Sequence, residues 1–485
     1  MILRLLRRTP LLALAAPLFA LPRALPAQNA PDQRAARALF AELVGINTTH
    51  DHGSTTLAAR AVARRLLAAG FPAKDVVIAG PTPQRQNLVA RLRGNGARPP
   101  ILLLAHLDVV EARREDWSLD PFKLTEQDGY FYGRGTSDIK DMAAIFAQTL
   151  IRLKRERVPL DRDLILALTA DEEGGDDNGV QWLLANRRPL IDAAFVINGD
   201  GGDPMMRDGQ VHARNVQAAE KVYMDVRLEV HNPGGHSSMP VKDNAIYRLS
   251  AALSRLGAYE FPMRLNEITR AYFSRAAAAE TDTIAARMRM VGESGDTVAM
   301  RRLATGSPWF NAVLRTTCVA TRLEGGHANN ALPQTAAANV NCRLLPDERP
   351  EQVLETIRRV VDDTAVQVTV TSPAVPSPPS PLVPEVLEPV DSITASMWPG
   401  AAVIPSMETG ATDGLFLRNA GIPVYGVSGV PIEADDVRAH GRDERIRVDA
   451  FYQGLEFTER LVRALAGQEK TERTEKTERT ERSKD

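Results

Sequence analysis

Cysteine is nearly absent, with two residues in 485 and no C-x-x-C spacing. That excludes a disulfide framework, a zinc ribbon and a redox dithiol, so any metal here must rest on histidine and carboxylate. A surplus of positive charge is missing too: 59 Lys and Arg face 61 Asp and Glu, a net charge of -2. Nothing drives sequence-independent phosphate binding, and nucleic acid is excluded as a partner. The apolar run from Thr9 to Pro22 falls short of the ~20 residues that a membrane-spanning helix needs, and no cysteine beside it could carry a lipid, so no stable membrane anchor is expected. What is there is 44% hydrophobic and 25% charged, enough for two to three globular domains.

Both ends stand apart from the fold. Arg4, Arg7 and Arg8 precede the Thr9 to Pro22 run, and Ala27 offers a small residue for cleavage. Residues 1–27 therefore read as a signal peptide, and the mature protein is expected to be exported, periplasmic or secreted. Residues 467–485 repeat Thr, Glu and a basic residue with almost nothing apolar, and read as a solvated, disordered tail.

Between the ends, strands and helices alternate, which predicts an α/β domain with a mostly parallel sheet. Ile101 to Ala105 is a continuous apolar run of the kind buried on both faces, and it stops at His106-Leu107-Asp108. Asp163 to Thr169 ends likewise in Asp171-Glu172-Glu173, and Ala194 to Ile197 in Asn198-Gly199-Asp200. Ligands gather at the carboxyl ends of such strands, and here three apolar strands finish in histidine or carboxylate. From Ala218 the pattern changes to alternating strands with two helices, a signature of an inserted α+β domain of ferredoxin-like type over residues 218–372. The mostly helical stretch from Tyr259 to Pro308 is expected to lengthen it. A Pro- and Ser-rich linker then leads back to the first domain, 31–217, completed by 380–466.

A metal hydrolase needs neutral imidazoles and ionised carboxylates converging on the metal, and a further carboxylate free to take a proton from water. His106 and Asp108 form an i, i+2 pair at a strand end, where the Asp108 carboxylate can fix the imidazole tautomer. Gly133 to Asp138 adds a carboxylate after a glycine turn, Glu172-Glu173 an adjacent pair, Asp200 another, and His440 a second imidazole.

Together these spacings resemble the M20 family of dizinc metallopeptidases, which holds glutamate carboxypeptidase, carboxypeptidase S, aminoacylase and succinyl-diaminopimelate desuccinylase. The resemblance covers about Pro31 to Ala466. It is carried by His106-Leu107-Asp108, Trp117 with Asp120-Pro121-Phe122, Gly133 to Lys140, Asp171 to Gly174, Gly234 to Ser238, Asn330 to Pro333, Gly410 to Asp413, and Ala439-His440-Gly441. It implies two Zn2+ per chain, with Co2+ or Mn2+ as substitutes. Asp138 would bridge them, His106 and Asp200 would bind one, and Glu173 and His440 the other. Glu172 would be the general base. His236 would reach from the inserted lid to the substrate carbonyl oxygen, within its own chain or across a homodimer formed through that domain. Asn330, Arg343, Gly410 and Thr412 would bind substrate, Arg343 as the fork for a free carboxylate.

His50, His52, His212, His231 and His327 fall outside this set and read as surface or turn residues. Cys318 and Cys342 lie on two strands of the insertion and are either a disulfide or two buried thiols. The reading is an exported dizinc hydrolase cleaving an amide bond next to a free carboxylate, in small peptides or in N-acyl amino acids. The segment Arg315 to Cys318 leans toward the carboxypeptidase S branch. A silent binding protein would require a lost ligand or base, and none is lost. An aminopeptidase of related fold would need acidic residues where Arg343 stands.

Overall fold

The computed structural model describes residues 31–174 and 177–467. The expected signal peptide and all but Gly467 of the charged tail lie outside them. Three apolar runs form the parallel centre of a ten-stranded sheet: Ile101–His106 lies between Leu164–Thr169 and Val196–Asn198, all fully buried. Val424–Gly426 continues in parallel beside Val196–Asn198. The outer pairings are partly antiparallel, through Val76–Ala79 and Asn87–Leu92 on one side and Gln210–Glu220 on the other. The sheet is therefore mixed around a parallel core.

Burial on both faces explains the unbroken hydrophobicity. Ile101, Leu103 and Ala105 face a core built with the helices Pro31–Gly45, Lys140–Glu156 and Val448–Ala466. Leu102 and Leu104 face the opposite way, toward Val180, Leu183 and Leu417. Each buried leucine contributes about 2 kcal/mol of transfer free energy, and the strand period of two sends consecutive residues to different helical layers.

The insertion is a four-stranded antiparallel sheet in the order Thr317–Gly325, Thr335–Leu344, Val222–His231, Val366–Ser372. With the helices Ala245–Ala258 and Pro350–Val361 this is the βαββαβ arrangement expected. Met224, Val226, Ala338, Val340 and Cys342 face the helices. Cys318 and Cys342 are direct cross-strand partners and form a disulfide, which decides between the two alternatives.

The helical stretch departs from expectation. Helices Glu267–Ala276, Asp282–Ser294, Thr297–Gly306 and Pro308–Leu314 do not extend the insertion's core. Ile268, Phe273, Val291, Met300 and Leu314 instead join the core of the main sheet, beside Ile404 and Met407 of strand Ala402–Glu408. The returning segment is also no loose linker, since Ser377 and Ser380 are buried and the Ser380 hydroxyl donates to the Val424 carbonyl at 2.7 Å. Among the described residues, no helix is long and apolar enough to cross a membrane.

Candidate metal centre

The carboxyl ends of the central strands and three loops bring two triads together. His106, Asp138 and Asp200 place one ligand atom each within 4.8 Å of one another, and so do Asp138, Glu173 and His440. Asp138 belongs to both. One of its oxygens lies 3.1 Å from His106 Nε2 and the other 3.0 Å from His440 Nε2, the geometry of a bridging carboxylate. Glu173 Oε2 completes the second triad 2.9 Å from His440 Nε2.

The tautomer of His106 is set differently from expectation. Its Nδ1 lies 3.0 Å from the backbone carbonyl of Asp108 and 3.8 Å from the Asp108 carboxylate. That carboxylate accepts the Glu173 backbone N–H at 2.9 Å instead, so it shapes the loop that carries both glutamates. Asp171 and His440 each take a left-handed backbone with φ 62°, uncommon for non-glycine residues and concentrated at functional sites.

Sequence reasoning missed the group that holds the Asp138 turn. Glu444 is fully buried and accepts from the backbone N–H groups of Gly135, Ser137 and Asp138 at 3.2, 2.7 and 3.2 Å. Its other partner is Arg134 at 2.7 Å, which also donates to the Gly441 carbonyl and so ties the loop of His440 to that of Asp138. An isolated glutamate in Gly441-Arg442-Asp443-Glu444 gives no pattern to find. Asp413, quoted above without a role, accepts from Thr169 Oγ1 at 2.8 Å and Asn178 Nδ2 at 2.6 Å. His50, read as a surface residue, is exposed yet pairs with Asp171 at 3.0 Å.

The electrostatics fit divalent cations. Hydrogen bonds from Asp138 and Glu173 lift the His440 imidazole to about 10. Burial opposes the same shift at His106, but Asp138 and the neighbouring carboxylates still push it well up. The two imidazoles thus face a field that favours positive charge, and a divalent cation satisfies that field by displacing the proton. Two nitrogen donors with Asp138, Glu173 and Asp200 are a set suited to zinc and its substitutes. Cations held there would supply Lewis acidity and lower the pKa of water. Glu172 lies outside both triads, and burial together with Asp200, Asp413 and Glu173 pushes its carboxyl well up.

Asp138 and Asp200 border a cavity of about 720 Å³. Gly410 and Thr412 line it, and so does His212, which sequence reading had put at the surface. Its remaining walls include Met205, Tyr272, Trp309, Phe310 and Ile404. The expected site residues of the insertion do not reach it. His236 is exposed and pairs with Ala331 on a short ladder, where the Ser237 N–H donates to the Asn330 carbonyl. Arg343 lies on the helix-free face of the insertion sheet, its guanidinium 4.6 Å from the Tyr223 ring centre. The structure thus brings His236 and Asn330 together but joins neither them nor Arg343 to the cavity wall.

A mixed sheet with two candidate metal triads at the carboxyl ends of its parallel centre, joined to a ferredoxin-like insertion, is the plan of a metal-dependent exopeptidase or amidohydrolase. Residues 102–464 match the family described as Peptidase family M20/M25/M40, and the chain belongs to that family. It is 31% identical over 377 residues to human N-fatty-acyl-amino acid synthase/hydrolase PM20D1, covering 75% of this chain and 74% of the relative. It is 27% identical to the probable carboxypeptidase S-like 2 of Dictyostelium discoideum, covering 75% and 71%. In fold it resembles the M20 family metallo-carboxypeptidase Sso-CP2 of Sulfolobus solfataricus, with a TM-score of 0.68 at 19% identity over 89% of this chain and 99% of that one. The protein is a hydrolytic enzyme of the M20 type.

Proposed function

We propose that this chain is an exported enzyme that holds two zinc ions and hydrolyses the amide bond of N-acyl amino acids carrying an apolar acyl group. The observation that carries this reading is the cavity beside Asp138 and Asp200, with its walls of Tyr272, Trp309, Phe310, Met205 and Ile404. An apolar chain laid along that wall gains about 0.8 kcal/mol per buried methylene. The name of the human relative, an N-fatty-acyl-amino acid synthase/hydrolase, supports the same substrate class. Small-peptide hydrolysis is the second reading, favoured by Arg207, His212 and Glu280 on the same cavity, polar groups that a peptide can engage.

Glu172 serves as general base, and Arg343 and Asn330 take the substrate's free carboxylate and polar groups once the insertion closes or a partner chain presents them. Export is supported by the basic-then-apolar start of the chain and by the Cys318–Cys342 disulfide. A homodimer is supported by Thr317–Gly325, an edge strand of its sheet that leaves Val319 and Leu323 exposed, and by the exposed Ile246 and Tyr247 on the helix Ala245–Ala258.

Turnover of zinc-loaded enzyme on dipeptides and on N-acyl amino acids of rising chain length tests the reading. The expected result is a kcat/KM that rises about 4-fold per added methylene until the cavity is filled. Preference for dipeptides over every N-acyl amino acid would overturn it. Mixing His236→Ala with Glu172→Gln protein tests the dimer: regained activity means His236 acts across the interface, and no recovery means it acts within its own chain or not at all.

A further inference from the structure

The chain passes from the main domain into the insertion at Glu220 and Lys221, two consecutive residues between Gln210–Glu220 and Val222–His231. Both are of ionisable type and both are buried. Consecutive residues on an extended backbone project to opposite sides, and these two reach opposite structures.

Glu220 turns toward the loop that follows strand Ala402–Glu408. Its Oε2 accepts from the Thr412 N–H and the Thr412 hydroxyl, each at 3.1 Å, and from Gln217 Nε2 at 3.3 Å. Its Oε1 accepts from the hydroxyl of Ser377, on the segment leaving the insertion, at 2.9 Å, and lies 2.9 Å from Arg418 Nη1. Lys221 turns the other way. Its Nζ donates to the carbonyls of Ala312 and Arg315 at 2.9 and 2.8 Å and to Thr317 Oγ1 at 3.2 Å. The first two are at the C-terminal end of helix Pro308–Leu314. A buried charge is costly unless it is paired and hydrogen-bonded, and here the charges are satisfied only while both partners stay in place.

The two partners are walls of one cavity. Gly410 and Thr412 line it from the Glu220 side, and Trp309 and Phe310 line it from the helix that Lys221 holds. We propose that Glu220 and Lys221 form a two-sided clamp, a pair of positioning residues that fixes the separation between the 410–412 loop and the Trp309–Phe310 wall and thereby sets the length of apolar group the enzyme accepts. Ser377 locks the clamp to the segment leaving the insertion, so movement of the insertion and the width of the cavity are coupled through one carboxylate. The inference rests on the acyl-chain reading of the cavity.

The test uses the full, zinc-loaded chain as wild type, Glu220→Gln, Lys221→Met and Ser377→Ala. Calorimetry measures binding of dodecanoate and butyrate, and steady-state kinetics compares an N-dodecanoyl with an N-acetyl amino acid. In Glu220→Gln and Lys221→Met, dodecanoate affinity should fall ~5-fold and KM for the long substrate should rise by a similar factor. Butyrate affinity, and kcat for both substrates, should stay near wild type. Ser377→Ala, which removes one hydrogen bond to the Glu220 carboxylate and leaves both Glu220 and Lys221 in place, should move the same ratio by ~3-fold and carries the test if the Glu220 and Lys221 variants fail to fold. A long-to-short ratio unchanged in folded variants overturns the clamp, as does an equal loss of kcat on both substrates, the mark of a merely structural role. If wild type cleaves neither substrate while dodecanoate binding still tracks the variants, the clamp stands and the proposed substrate falls.

Discussion

His106 Nδ1 meets the backbone carbonyl of Asp108 at 3.0 Å, while the carboxylate of that residue turns away to the N–H of Glu173. The residue thus serves both triads: its main chain orients His106 of one, and its side chain holds the backbone of Glu173 of the other. A partner behind a metal ligand typically affects metal affinity by ~10-fold or more. Asp108→Ala leaves the carbonyl in place and removes the acceptor from Glu173. The triad of Glu173 and His440 should then lose affinity by ~10-fold while that of His106 and Asp200 changes little. Competitive chelator titration measures both, and equal weakening of the two would contradict this division.

Glu172 and Glu173 are adjacent, yet only Glu173 contacts His440, at 2.9 Å. They should fail differently. Glu172→Gln should keep its metals and lose ~10²-fold or more in kcat, the scale of a lost general base. Glu173→Gln should lose metal from one site. Metal analysis alongside kinetics separates the two, and near-normal turnover in Glu172→Gln would send the search for the base elsewhere.

Glu408 lines the cavity, and burial together with Asp203 and Glu220 raises its carboxyl to about 7. A carboxyl raised on folding binds more protons in the native state than in the unfolded one. Its contribution is therefore present below the unfolded value near 4.5 and is lost as pH rises through about 7. Discounted for water in the cavity, the difference is on the order of 2 kcal/mol. Glu408→Gln should gain that much relative to wild type between about pH 5 and about pH 8. Chemical denaturation at the two values checks it, and the site carboxylates common to both proteins cancel in the difference. Parallel stability curves would refute it.

The strands that end in ligands were legible because burial on both faces writes an unbroken apolar run, and because polar residues interrupt such a run only where something holds them. His106, the Glu172-Glu173 pair and Asp200 stood out by that contrast, while the family resemblance supplied which of them would bind metal. Asp108 was placed correctly but for the wrong atom, since sequence spacing does not separate a carbonyl from a carboxylate on one residue. Glu444 was hidden because its work is to accept backbone N–H groups three hundred residues away, and no local pattern encodes that. The helices from Glu267 to Leu314 were legible as helices, but their apolar faces do not say which of two cores they join. The Cys318–Cys342 pair waited on the register between two strands, which alternation alone leaves open.

The account depends most on two triads sharing Asp138. The measurement that reaches this most directly is anomalous scattering from zinc in crystals of the zinc-loaded protein. Two peaks are expected, one among His106, Asp138 and Asp200 and one among Asp138, Glu173 and His440, at the separation of about 3.5–4 Å usual for two-metal sites. No peak at either triad, or peaks bound only by residues outside them, would contradict the account.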